Sequence, residues 1–92
     1  AQKVAEKMAH ISRRKQVLCV THLPQLAAMA DVHFSVEKGE KNGRTYTAVR
    51  RLDRAARCSE IARLTGGNLL SDAILKGADE LLAQAEQFRD GL

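Results

Sequence analysis

The run Val17-Leu18-Cys19-Val20 limits the possible folds of this chain more than any other stretch. Four consecutive apolar residues do not alternate with polar ones, so an extended segment built from them wants cover on both faces. Strands of that kind belong to the parallel sheets of α/β proteins. The run stops abruptly at Thr21-His22, and Leu23-Pro24-Gln25 turns the chain away. In such sheets ligands bind outside the carboxyl ends of the strands. The spacing therefore predicts a buried strand over residues 16–21 with His22 at its ligand edge.

The flanking segments set this strand in an α/β pattern. Val4, Met8 and Ile11, with Ala5, fall at helical spacing and predict a helix over residues 2–14 with those side chains as its apolar stripe. Arg13-Arg14-Lys15 falls in its last turn, where cations suit the helix dipole. A short helix is predicted over residues 23–30, with Pro24 in the first turn where a missing N–H costs nothing. Val32, Phe34 and Val36 then alternate with His33, Ser35 and Glu37, which predicts a half-buried strand. Residues 44–52 alternate again, with Thr45, Thr47, Val49 and Arg51 on one face and Tyr46, Ala48, Arg50 and Leu52 on the other. Asn42-Gly43 between them is a hairpin signal.

Two helices close the chain. Asp53 can cap the first, Cys58, Ile61, Ala62 and Leu64 form its inner side, and Gly66-Gly67 stops it. Ser71 can cap the second, whose apolar positions run from Ala73 to Phe88. Gly77 inside that helix costs about 1 kcal/mol relative to Ala, which predicts close approach of a neighbouring element. The expected order is α-β-α-β-β-α-α, an α/β arrangement with one buried strand and one antiparallel hairpin.

This inventory is short of strands. A strand covered on both faces needs a neighbour on each side for its backbone groups, and only two other strands are in view. With 92 residues the chain is one small domain, and with aromatic content of 3% its core must be aliphatic. It begins Ala1-Gln2-Lys3 without Met and is helix-like at once, so it reads as a single partial domain over 1–92, cut from something longer. A net charge of +4 permits contact with nucleic acid or phosphate without demanding it. No apolar run reaches the roughly 18–20 residues that span a bilayer, so no membrane partner is expected. The two cysteines, Cys19 in the predicted strand and Cys58 in a helix, read as thiols, which points to the cytoplasm.

Few residues offer chemistry. There is no G-x-x-x-x-G-K-[ST] and no G-x-G-x-x-G, and Gly66-Gly67 follows a helix and so caps it. Cys19 and His22 have a C-x-x-H spacing, but His10, His33 and Cys58 supply no second pair at a zinc spacing. Neither cysteine sits where a thiolate would be favoured. His22 is the candidate that remains. An imidazole at a strand's carboxyl end can donate a hydrogen bond to a phosphoryl oxygen, and it can also simply satisfy the turn.

The stretch VLCVTHLPQ (17–25) resembles the switch-histidine strand and loop of ABC-type (P-loop) ATPases, and more narrowly the DNA-repair members of their SMC-like group. AQKVAEKM (1–8) resembles the helix after that family's D-loop, and ADVHF (30–34) the strand entered after the switch loop. Residues 44–53 and EIARLTGG (60–67) resemble its C-terminal hairpin and helix, and residues 73–82 its last helix. The resemblance implies the C-terminal segment of an ATP-binding head from a DNA double-strand-break repair and recombination protein. His22 is then the switch histidine, contacting the γ-phosphate of ATP when two heads sandwich nucleotide. The Walker A loop, Q-loop, signature motif and Walker B carboxylates would lie upstream, so ATP and Mg²⁺ belong to the longer protein. The segment alone is then expected to bind neither tightly and to be inactive. Its partners would be the rest of the head, a second head and DNA, and the isolated segment is expected to self-associate.

A second reading makes the chain an independent small basic α/β module that binds nucleic acid through Arg44, Arg50, Arg51, Arg54 and Arg57. Tyr46 and two Phe are a thin stacking set for that role.

Overall fold

The first helix, α1, spans Gln2–Ser12 in a computed structural model that describes all 92 residues. Its inward face is the small one, because Ala5 and Ala9 are buried, Met8 is partly covered, and Val4 and Ile11 face solvent. The expected Val4–Met8–Ile11 stripe is thus corrected. Apolar residues wrap more than one side of this helix, and the side lined by alanines is the one that lets a neighbouring backbone approach closely. The helix ends where the Ser12 hydroxyl donates to Ala9 O at 2.6 Å. Arg13, Arg14 and Lys15 lie just beyond it rather than in its last turn.

The strand predicted over residues 16–21 does not form. The run is extended and unpaired, and none of residues 16–22 takes part in a backbone–backbone hydrogen bond. Leu18 is 86% and Val20 104% exposed, and Cys19 is exposed with them. The physical reason is the one the strand inventory anticipated. A strand apolar on both faces needs partners along both edges and layers over both faces, and the rest of the chain supplies neither. The observed order is accordingly α-α-β-β-α-α.

The second helix, α2, spans Pro24–Met29, with Pro at its start. Ala27, Ala28 and Met29 are buried, and α1, the third helix and the fourth all pack against this short element. Strands β1 (Phe34–Lys41) and β2 (Arg44–Arg51) form the predicted antiparallel hairpin, in register from Phe34 opposite Arg51 to Lys41 opposite Arg44. Asn42 and Gly43 both take positive φ, 53° and 75°, as a two-residue hairpin turn with the strands' own twist requires. Gly39 is a strand residue, and a Cβ there would fall 2.5 Å from the Tyr46 ring lying over it.

The hairpin's faces are the reverse of expectation. Phe34, Val36 and Val49 do share a face, but that face is exposed, while His33 and Ser35 are half-covered. A two-stranded sheet has two faces to cover, and this chain offers helical cover only near Leu52, which is buried and donates its N–H to His33 O at 2.9 Å.

Helices α3 (Arg54–Gly66) and α4 (Asp72–Asp90) begin at the predicted caps. Asp53 accepts from Ala56 N at 2.8 Å and Ser71 from Ile74 N at 3.2 Å. Gly67 ends α3 with φ 68°, a conformation that costs a Cβ-bearing residue. Gly77 has nothing within 4 Å of where a Cβ would stand, so the predicted close approach is not present. The core is formed chiefly by alanines from α1, α2, α3 and α4, around Met29, Ile61 and Leu82. The radius of gyration of the whole chain is 14.4 Å, against about 12 Å for a compact chain of this length. The hairpin and the extended run account for that openness. No helix is long and apolar enough to cross a membrane.

Candidate functional site

His22 lies exposed at the end of the unpaired run, immediately before α2. Its local geometry is set by short-range bonds. The Thr21 hydroxyl accepts the Leu23 N–H at 3.0 Å, a side-chain turn that reverses the chain, and Leu23 O accepts from Ala27 N at 3.1 Å as the first bond of α2. Pro24 fixes the entry. The imidazole is thus presented to solvent from a defined turn, where it can meet a phosphoryl oxygen or water.

The other candidate ligands are not gathered around it. His10 packs edge-on against Phe88, ring centroids 5.8 Å apart. Cys58 is half-buried in α3, its thiol 3.5 Å from Leu75 O. His33 stands at the foot of the hairpin. Only Cys19 shares the exposed run with His22.

At the other end of α2 from His22 is a pair of arginines. Arg57, 7% exposed, passes from α3 to the C-terminal end of α2, where its Nη2 donates to Ala27 O (3.0 Å), Ala28 O (3.3 Å) and Ala30 O (2.9 Å). Helix C-termini leave carbonyls unpaired and carry partial negative charge, so a buried guanidinium is well placed there. Arg89 of α4 adds a donor to Ala28 O at 3.1 Å. Burial, and then the neighbouring Arg89, hold the Arg57 pKa below its ordinary value. The sequence reading missed this role, although a signal was present: Arg57 is one turn before Ile61 and so falls on the inner face of α3.

These positions correct the picture of a nucleic-acid surface. Arg57 is buried and occupied by carbonyls, and Arg54 is held by Asp79 and Glu86, each at 2.9 Å. Arg50 lies 3.8 Å from Glu37. Of the five arginines assigned to that surface, only Arg44 and Arg51 are held by neither a carboxylate nor backbone carbonyls. A salt-dependent phosphate surface needs uncommitted cations, and of the five arginines assigned to it two are uncommitted.

His33 gives the region a pH dependence. Its Nδ1 is buried without a partner, as is Arg57 Nε. Burial, and then the charge of Arg57, push the His33 pKa down, with Glu60 opposing. Glu60 itself is held low by its hydrogen bonds from Arg63 (Nε to Oε2 3.0 Å). Because folded His33 resists protonation, the unfolded chain takes up the proton first, below the ordinary value of about 6.5. Stability is therefore fully present above that value and declines as pH falls towards the lower folded pKa. Urea midpoints taken from pH 7.5 down to 5.5 should fall, and His33→Gln should flatten the profile. A profile equally steep in the variant would rule His33 out as its origin.

No protein-family model matches the chain. Individual proteins do. DNA repair protein RecN of Bacillus subtilis (strain 168) is 46% identical over 89 residues, 97% of this chain and 16% of that protein. RecN of Deinococcus radiodurans is 49% identical over 80 residues, covering 87% of this chain and 14% of that protein. RecN of Halalkalibacterium halodurans is 45% identical over 89 residues, again 97% and 16%. The chain thus spans about a sixth of the length of these curated relatives. Across nearly every element described above, the chain matches the C-terminal part of the bacterial DNA repair protein RecN.

Proposed function

We propose that these residues are the C-terminal part of an ATP-binding and ATP-hydrolysing head in a DNA double-strand-break repair protein, with His22 as its switch histidine. The observation that carries the reading is the pairing of His22 with an extended, unpaired apolar run inside a sequence 46% identical to a RecN protein. An imidazole presented at the end of a strand-like segment can donate to a γ-phosphate oxygen in the transition state, where phosphoryl transfer depends on positioning and charge stabilisation. One imidazole is the only part of such a site offered here. The phosphate cradle and the Mg²⁺ ligands belong to other residues of the longer protein, so the 92-residue chain alone turns over no ATP.

The exposed apolar surfaces support the same reading. Leu18 and Val20 on the run, and Phe34, Val36 and Val49 on the hairpin, are the faces that would meet the remainder of the head. In isolation such faces favour self-association. The second head and DNA are partners of the longer protein, and two thiols fit a cytoplasmic setting.

The test is His22→Ala in the full-length protein that carries these residues. Turnover of ATP is expected to fall about 100-fold, with the KM for ATP within a few-fold, as for the loss of a group that acts in the transition state. Unchanged turnover would reject the assignment of His22.

A further inference from the structure

The segment that carries His22 is fixed at its ends and free in its middle. Between Lys15, whose N–H bonds Ile11 O at 3.0 Å, and Leu23, no backbone–backbone hydrogen bond ties it down. Its two ends meet. Arg13, the first residue after α1, reaches Asp31, just past the end of α2, with Nη2 3.0 Å from Oδ1. The same carboxylate oxygen lies 3.5 Å from Arg89 Nε of α4, and Arg89 also donates to Ala28 O at 3.1 Å. Residues 13–31 are thus bridged by an ion pair beside the packing of α1 on α2, and that bridge is anchored to α4 through Arg89. His22 sits near the midpoint of that span.

We propose that Arg13, Asp31 and Arg89 form a staple that positions His22, and that Asp31 is its central residue. The inference rests on the proposed role of His22 and adds what holds that residue in place. Closing a loop restricts the paths its middle can take. The staple also couples His22 to α4, because a shift of α4 moves Arg89 and with it the carboxylate at the bridge. Asp31 touches no substrate here and acts through His22, so it is a positioning residue. An exposed ion pair of this kind contributes little to global stability, so a turnover effect can be separated from unfolding.

The experiment uses the full-length protein and compares Asp31→Asn, Asp31→Glu and His22→Ala, with Asp31→Asn also made in the His22→Ala background. Asp31→Asn is expected to lower kcat for ATP about tenfold, since small misplacements of a catalytic group are costly. KM and the thermal unfolding midpoint should stay near those of the parent. Asp31→Glu restores the charge and should recover most of the loss. In the His22→Ala background Asp31→Asn should have no further effect, because the group it positions is gone. Equal losses in both backgrounds, or no loss in the parent, would overturn the staple while leaving the role of His22 intact. If His22→Ala itself leaves turnover unchanged, the proposed function fails and the staple fails with it. Where Asp31→Asn lowers the unfolding midpoint, Arg13→Gln removes the same pair from its other side and is read by the same criteria.

Discussion

Arg57→Met is expected to lower stability by about 2–4 kcal/mol, the cost of stranding carbonyls that a charged donor had satisfied. The substitution keeps most of the side chain's packing volume and removes its hydrogen-bonding head. Three carbonyls at the end of α2, those of Ala27, Ala28 and Ala30, lose their shared donor at once. Ala28 keeps a partner in Arg89 at 3.1 Å. Ala27 also accepts from Ala30 N, though at 3.4 Å, so the losses do not simply add. The location magnifies the effect, because α1, α3 and α4 all pack on α2. Arg54→Met, at an exposed ion pair on the same helix, should change stability by no more than about 1 kcal/mol. Urea denaturation followed by far-ultraviolet circular dichroism reads both. An Arg57 variant as stable as the parent would show that the clasp is not a stabilising contact.

What could be read from the sequence was what each segment contains, and what could not was which neighbours are available to it. Asp53, Ser71, Asn42-Gly43 and Gly67 act through bonds or backbone angles within a few residues of themselves, and each is found at its predicted post. The apolar run at residues 17–20 states a demand for cover, but no strand in this chain meets it. The same holds for Phe34, Val36 and Val49. Alternation put Phe34 with Val36, the register adds Val49 opposite Val36, and the absence of a covering layer leaves all three outside. At α1 the error had another source. Apolar residues occupy several sides of that helix, and the closeness of α2 selected Ala5 and Ala9 over larger neighbours. His22 was legible as a histidine ending an apolar run. The staple through Asp31 was not, because it joins residues 18 and 58 positions apart by geometry that exists only once α1, α2 and α4 are assembled.

Leu82→Ala is expected to cost about 3–5 kcal/mol, the upper part of the range for deleting a buried leucine. Position in the core decides the magnitude. Leu82 and Ile61, both at 0% exposure, are the largest fully buried side chains in the molecule. Much of what surrounds them is alanine: Ala5, Ala9, Ala27, Ala28, Ala62, Ala78 and Ala85 belong to the same cluster. Alanines have no rotamers with which to fill a void, so a cavity left at Leu82 shrinks only where helices move together or a partly buried neighbour of the cluster, such as Leu75 or Leu81, leans in. That movement is resisted by the Arg57 clasp on one side and by the α3–α4 contact on the other. A domain of this size has little stability in reserve, commonly near 5 kcal/mol, so the variant should lose its cooperative urea transition or keep only a remnant of it. Leu69→Ala is the matched control. Leu69 is 77% exposed, and removing the same atoms there should shift the transition by no more than about 0.5 kcal/mol. The comparison holds chemistry constant and varies only burial. If both variants unfold at the same urea concentration, the alanine-lined centre does not hold this chain together, and its stability must come from contacts at the hairpin or at the helix ends.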